Sequence, residues 1–555
     1  MRSSALVLRA LQRLSSGGAS EALRSAPAFA CTASTSAQGW TGSANGVWQA
    51  GSSAGQAARG ISSSRAPANA APLAATAVEG DLAGVLREID AAMSAEGASP
   101  KDVADAAMGL ALLQARGDRR LWGKIFEKAG ALKGSFDAAS LTAFLWAAGA
   151  ANVGHFKTAF DLAGPAAKLL GSFTPDQLAT VVEALGKAGV NDPDVFKGVS
   201  DRLAKGGDFT AAQLAKLLWG AAAAGAADAG VAKAAAAAFV GKIGDATAKD
   251  AAQAAWALAK LGRVDKPALD AIGKALSTKL GGGEAPADAA AAVWAFATLN
   301  YKLDGQALSK AAAAIKAGAG ELSAEQAIHA AWGLALLGSA DKDVFSALLS
   351  SAGSAVSAAP DAVPVRAAAA LCEAQTLILD RLGAQGPKLP DQVYAYAQGM
   401  YTLVADSAKT RRPAAAAAFH AAVATAAARA GGARYKPEVA AAVAALPRKT
   451  SDGLPVEMGL DLDKDLKVAI LALGAADVSS TSPATLLGPA EAAKRLLEAR
   501  GYKVASVLQP AFEAAKDDKA RAAVVMAAIK AAAPGNSKVS QLEKQLAAPF
   551  DPYAE

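Results

Sequence analysis

His155, His329 and His420, with Cys31 and Cys372, are the only imidazoles and thiols in 555 residues, and no two stand at metal-ligand spacing. Zinc or iron catalysis is therefore not expected, and no cofactor is called for. No glycine-rich phosphate loop, nucleophile elbow or Cys/His couple occurs either. Asp461, Asp463 and Asp465 form an acidic triplet of the kind that is usually solvated loop charge, and Asp477 lies beyond the strand that follows. What remains is a column of residues 36–38 positions apart: Asp105, Ala143, Thr180, Lys216, Gln253, Ala291 and His329. It varies while its surroundings stay uniform, and Lys187 and Lys260 lie further along the same face. Hydroxyl, amide, imidazole and ammonium groups so arrayed can hydrogen-bond base edges and neutralise a few phosphates. An ordinary solvated face is the alternative.

Such a column needs a repeating element to carry it. Trp146, Trp219, Trp256, Trp294 and Trp332 end similar strings, and Met108 and Glu183 fill two further slots, so the series advances by 36 to 38 residues. Seven units on one period mean a helical repeat array. Nine residues before each slot stand Ser99, Asp137, Thr174, Thr210, Thr247, Ala285 and Ser323, all but one good N-caps. Asp102, Ser140, Gln177, Gln213, Asp250, Asp288 and Gln326 follow three residues later, as in a capping box. Gly189, Gly225, Gly262, Gly338, Asn152 and Asn300 suit left-handed C-terminal caps. A second helix follows in each unit, and the slot side chains are expected to pack between units rather than stack on bases.

Phe209-Thr-Ala-Ala-Gln-Leu-Ala-Lys-Leu-Leu-Trp219 and Trp256-Ala-Leu-Ala-Lys-Leu-Gly262 resemble octotricopeptide repeats over residues 97–355. The resemblance implies a right-handed α-solenoid of about 38-residue helical pairs that binds organellar RNA, in a family best represented in green algae. After residue 355 the rhythm decays, and 356–447 read as degenerate alanine-rich helices. Tyr394, Tyr396 and Tyr401 do not share one helical face there, so core packing is expected over a stacking platform.

The C-terminal grammar differs. Lys467–Leu473 and Tyr502–Leu508 read as strands around a helix at Pro489–Arg500. The string Leu486-Leu-Gly-Pro-Ala-Glu-Ala-Ala-Lys-Arg-Leu-Leu-Glu-Ala-Arg-Gly-Tyr-Lys-Val504 is similar to the RAP domain, a small α/β module related to restriction endonucleases. The family's strand acids are absent from Leu471-Ala-Leu473-Gly474, so cleavage is not expected. Lys494, Arg495, Arg500 and Lys503 are its candidate phosphate contacts.

Residues 1–65 carry six Arg and one Glu, nearly all of the net +6, and read as an organellar transit peptide. The mitochondrial matrix is the expected destination, with the chloroplast stroma as the alternative. No transmembrane span is expected. Residues 66–96 read as a linker and leading helix, 448–458 as a hinge, 459–530 as the RAP-like domain and 531–555 as a tail. Together these readings give a mainly α, non-enzymatic protein that binds single-stranded organellar mRNA or rRNA. The open alternative is a scaffold subunit of the mitochondrial ribosome or another assembly, contacting ribosomal proteins.

Overall fold

A computed structural model describes residues 84–547 except 85, 96, 114, 116, 153–155, 228–229, 282–284, 431–445 and 464–465. Residues 1–65, read above as a transit peptide and including Cys31, lie outside the described residues, as does His155. The chain is mainly helical with a small C-terminal sheet. Its helices come in pairs: α1 (Pro100–Leu112) with α2 (Arg119–Ala131), α3 (Ala138–Ala151) with α4 (Phe156–Lys168), and α5 (Pro175–Ala188) with α6 (Pro193–Ala204). Next come α7 (Ala211–Ala224), α8 (Val231–Gly241), α9 (Ala248–Lys260) and α10 (Lys266–Lys279), then α11 (Pro286–Thr298), α12 (Gly305–Ala317), α13 (Ala324–Leu337) and α14 (Lys342–Ala358). Helices α15 (Val365–Leu382), α16 (Asp391–Thr410) and α17 (Ala414–Ala430) complete the helical part.

Reciprocal capping boxes start α1, α5, α7, α9 and α13 at Ser99, Thr174, Thr210, Thr247 and Ser323. Ala285 caps α11 without a side-chain bond. Left-handed Asn152, Gly189, Gly225 and Gly338 stop α3, α5, α7 and α13. Each first helix thus runs 13 or 14 residues, and the slot falls at the same height in all of them.

The residues fall into two compact units. In the first, α1, α3, α5, α7 and α9 pack in sequence on one another, with α2, α4, α6 and α8 doing the same beside them. Backbones come closest between α5 and α7, where a Cβ on Gly186 would stand 2.6 Å from the Gly220 carbonyl oxygen. Alanine and glycine at such crossings let helices approach at backbone distance, a physical reason for the alanine-rich composition.

In the second unit α11, α13 and α15 stack, and α12 and α14 pack alongside. Glu373, on α15, is completely buried. Burial pushes its carboxyl up to about 8, with the Trp332 indole N–H of α13 pulling the other way. Tyr401 is buried, Tyr394 half-buried and the Tyr396 hydroxyl donates to the Pro360 carbonyl, so no aromatic platform forms.

Strands β1 (Leu446–Lys449), β2 (Pro455–Asp463) and β3 (Leu466–Leu473) run antiparallel in that order, and β4 (Lys503–Leu508) lies parallel to β3. Helix α18 (Gly488–Glu498) makes the crossover that a parallel pair requires. Side chains alternate across β3. Val468, Ile470 and Ala472 face a core shared with α17, α20 (Asp518–Ala532) and α21 (Ser537–Ala547), which follow the short α19 (Gln509–Glu513). Ala469, Leu471 and Leu473 face the core under α18.

Two expected boundaries are corrected. Residues 448–458 are a β-hairpin rather than a hinge, because Thr450 and Leu454 close a turn at left-handed Gly453 and β1 pairs with β2. Residues 531–547 are not a tail, since Val539, Leu542 and Leu546 bury into the core, and α17 belongs to the same core through Phe419 and Val423.

Glu457 of β2 ties this module to α17, taking Arg412 at 2.8 Å and His420 Nδ1 at 3.1 Å. Burial alone would raise its carboxyl, but the His420 hydrogen bond and the Arg412 charge hold it below the usual value. A depressed carboxylate stabilises the fold above its ordinary range, and that contribution is lost as pH falls through the depressed value. Glu457→Gln, which leaves Arg412 buried without its anion, is expected to cost about 3 kcal/mol at neutral pH. Urea melts at neutral and acidic pH check this, with the variant's deficit shrinking as the wild type acidifies.

Candidate nucleic-acid interface

The first helices of the first unit leave one stripe open. Its residues are spaced four, three and four apart, the spacing of a single helical face. On α5 they are Asp176, Thr180, Glu183 and Lys187; on α7, Ala212, Lys216, Trp219 and Ala223; on α9, Lys249, Gln253, Trp256 and Lys260. Apart from the well-buried Glu183 and Trp256, all are half-buried or exposed. Because α5, α7 and α9 pack side by side, their stripes adjoin. Five of the six residues read from the sequence, Thr180, Lys187, Lys216, Gln253 and Lys260, are therefore brought together.

His329 is in the second unit, half-buried on α13, with its ring 5.8 Å from the Trp294 ring. Its imidazole leans on the preceding slot rather than standing clear.

The cations of the stripe have distinct surroundings. Lys187 reaches Glu183 at 2.7 Å, and its stem lies along Gly149 of α3. Lys260 stands over the Trp256 ring at 5.5 Å, a cation–π contact. Trp219 and Trp256 stack with centroids 5.8 Å apart, so slot side chains do bridge neighbouring helices.

The C-terminal candidates fare differently. Arg500 is turned inward: its guanidinium bonds Asp380 at 3.0 Å and Asp452 at 2.6 Å and is only 11% exposed. Arg495 bonds Glu491 at 2.9 Å and donates to the Leu336 carbonyl at 2.8 Å, the negative end of α13. Lys503 is exposed at the start of β4, and Lys494 stands 4.0 Å from Glu498. Both leave ammonium surface facing solvent.

Further contacts hold the module to backbone at helix ends in the same way. Ser480 N–H and hydroxyl donate to the Gly262 carbonyl, the Ser479 hydroxyl accepts from Val264 N–H, and Thr481 donates to the Val264 carbonyl at 2.8 Å. Gly488 sits so close to the Ala297 carbonyl that a Cβ would overlap it.

Asp477 accepts from Gly474 N–H at 2.8 Å and serves the turn after β3. Among the described residues no His, Cys, Asp and Glu cluster has the geometry of a metal site, and no helix is long and apolar enough to cross a membrane. Comparison with family models finds no match, and comparison with curated protein sequences finds none either.

Proposed function

We propose that the chain is a non-catalytic organellar RNA-binding protein: an octotricopeptide-like α-solenoid followed by a RAP-like module. It holds a short single-stranded segment and so stabilises, processes or positions a transcript or rRNA, or aids its translation. The observation that carries this reading is the adjoining stripe of Thr180, Lys187, Lys216, Gln253 and Lys260 on α5, α7 and α9. Within it Thr180, Lys216 and Gln253 recur once per helical pair, the layout by which helical-repeat readers address successive bases, and Lys187 and Lys260 add cations along the same face.

Crosslinking in the organelle with sequencing of the bound RNA tests it. Short footprints in a messenger or precursor support a selective factor, and recovery of no RNA overturns the reading. The inward use of Arg495 and Arg500 favours a second reading, a scaffold subunit of the mitochondrial ribosome, for which footprints confined to rRNA and co-sedimentation after high-salt washing are the expected signs.

The two cation classes separate in a salt titration. Lys216→Ala is expected to flatten the log–log salt slope of RNA binding by about 0.7, the loss of one phosphate contact. Arg500→Gln is expected to leave the slope unchanged while costing about 1–2 kcal/mol of stability, its ion pairs being partly open to solvent.

A further inference from the structure

The tryptophan column is interrupted once among its central members. Glu183 occupies the slot on α5, between Trp146 on α3 and Trp219 on α7. A glutamate there is costly, for its side chain is only 12% exposed in a surface otherwise built for indoles. Lys187 neutralises it through one oxygen, Oε1. The rings on either side are the more open ones: Trp146 and Trp219 are half-buried, whereas Trp256, Trp294 and Trp332 are buried to 7%, 8% and 0% exposure. Trp256 covers one face of Trp219, and the helix on the other side offers a carboxylate in place of a ring.

Resting on the RNA-binding reading above, we infer that the Glu183 slot is a base-specific subsite that takes guanine. A purine stacks on a half-exposed indole without regard to its identity, and the polar group at its edge decides which base is held. A carboxylate has only acceptors. Guanine presents two adjacent donors, N1–H and the N2 amino group, to such an acceptor. Adenine and cytosine present one donor beside an acceptor, and uracil presents one donor between two carbonyls. Lys216, one turn before Trp219, and Thr180, one turn before Glu183, supply a cation and a hydroxyl beside the slot.

Selection from a random 20-nucleotide RNA pool with the full chain, Glu183→Gln and Glu183→Trp tests this. Wild type is expected to enrich guanine at one position, and Glu183→Gln to reduce that preference about tenfold. Glu183→Trp restores the ring of the other repeats and is expected to melt no lower than wild type while also losing the guanine. A pool bound without a guanine position, or with one insensitive to both substitutions, overturns the subsite and leaves RNA binding standing. A wild-type chain that retains no RNA overturns both.

Discussion

Glu373→Gln is expected to raise stability most at alkaline pH and to flatten the pH dependence of unfolding. The folded chain holds a proton on Glu373 up to about 8, whereas the unfolded chain releases it near the ordinary value of 4.5. Below that ordinary value both states are protonated and burial of the neutral acid carries no ionisation cost. Between the two values the folded state binds more protons, so stability falls with rising pH, and above the folded value the loss is complete. The shift corresponds to roughly 5 kcal/mol at most, since 1.36 kcal/mol attends each unit. Buried neighbours do not share the titration, because burial pushes the Cys372 thiol up to about 12 and Tyr401 well above its usual value. Urea melts from mildly acidic to mildly alkaline pH check the prediction, and parallel curves for wild type and variant would sink it.

Gly220→Val is expected to destabilise the first unit by about 3 kcal/mol, the upper range for forcing bulk into a packed crossing. A Cβ on Gly220 would overlap the Val182 carbonyl, a backbone atom that cannot rotate away. Helices α5 and α7, which carry the Glu183 and Trp219 slots, would have to separate. Gly123 of α2 is the control, for it is exposed and a Cβ there meets nothing within 4 Å. Gly123→Ala is expected to stabilise by about 0.5–1 kcal/mol, the helix-propensity difference. The measurement is the urea midpoint at constant m value. A Gly220→Val midpoint equal to wild type would show that the helices pack less closely than described.

Helix starts and stops were legible because they are local: Thr174 with Gln177 and Thr210 with Gln213 make in space the bonds their spacing announces. The stripe was legible for the same reason, since one face of one helix is a matter of counting. Long-range partners were not. Nothing near Arg500 in sequence announces Asp380 or Asp452, and a basic residue on a polar helix end reads equally as solvated, phosphate-binding or paired. The hinge expectation failed because Asp452-Gly453 marks a turn without saying that strands flank it. The tail expectation failed because α21 is a short amphipathic helix whose apolar face acquires meaning only from the sheet it meets. Glu183 reads in sequence as a gap in a column four residues before Lys187, whereas the half-burial of Trp146 and Trp219 depends on neighbouring helices.

The Ser479–Thr481 contacts join residues 215 to 218 positions apart, whereas stacked repeat helices join residues one period apart. Closing the longer loop requires most of the chain to be ordered first, since its entropy must be offset by contacts that exist only at the end. Each helical pair can therefore settle against its predecessor before the sheet module docks. The sheet module, made last, arrives at carbonyls already fixed in place by finished helices. A chain truncated before Ser479 would complete its helical pairs and leave the Gly262, Val264 and Leu336 carbonyls to water.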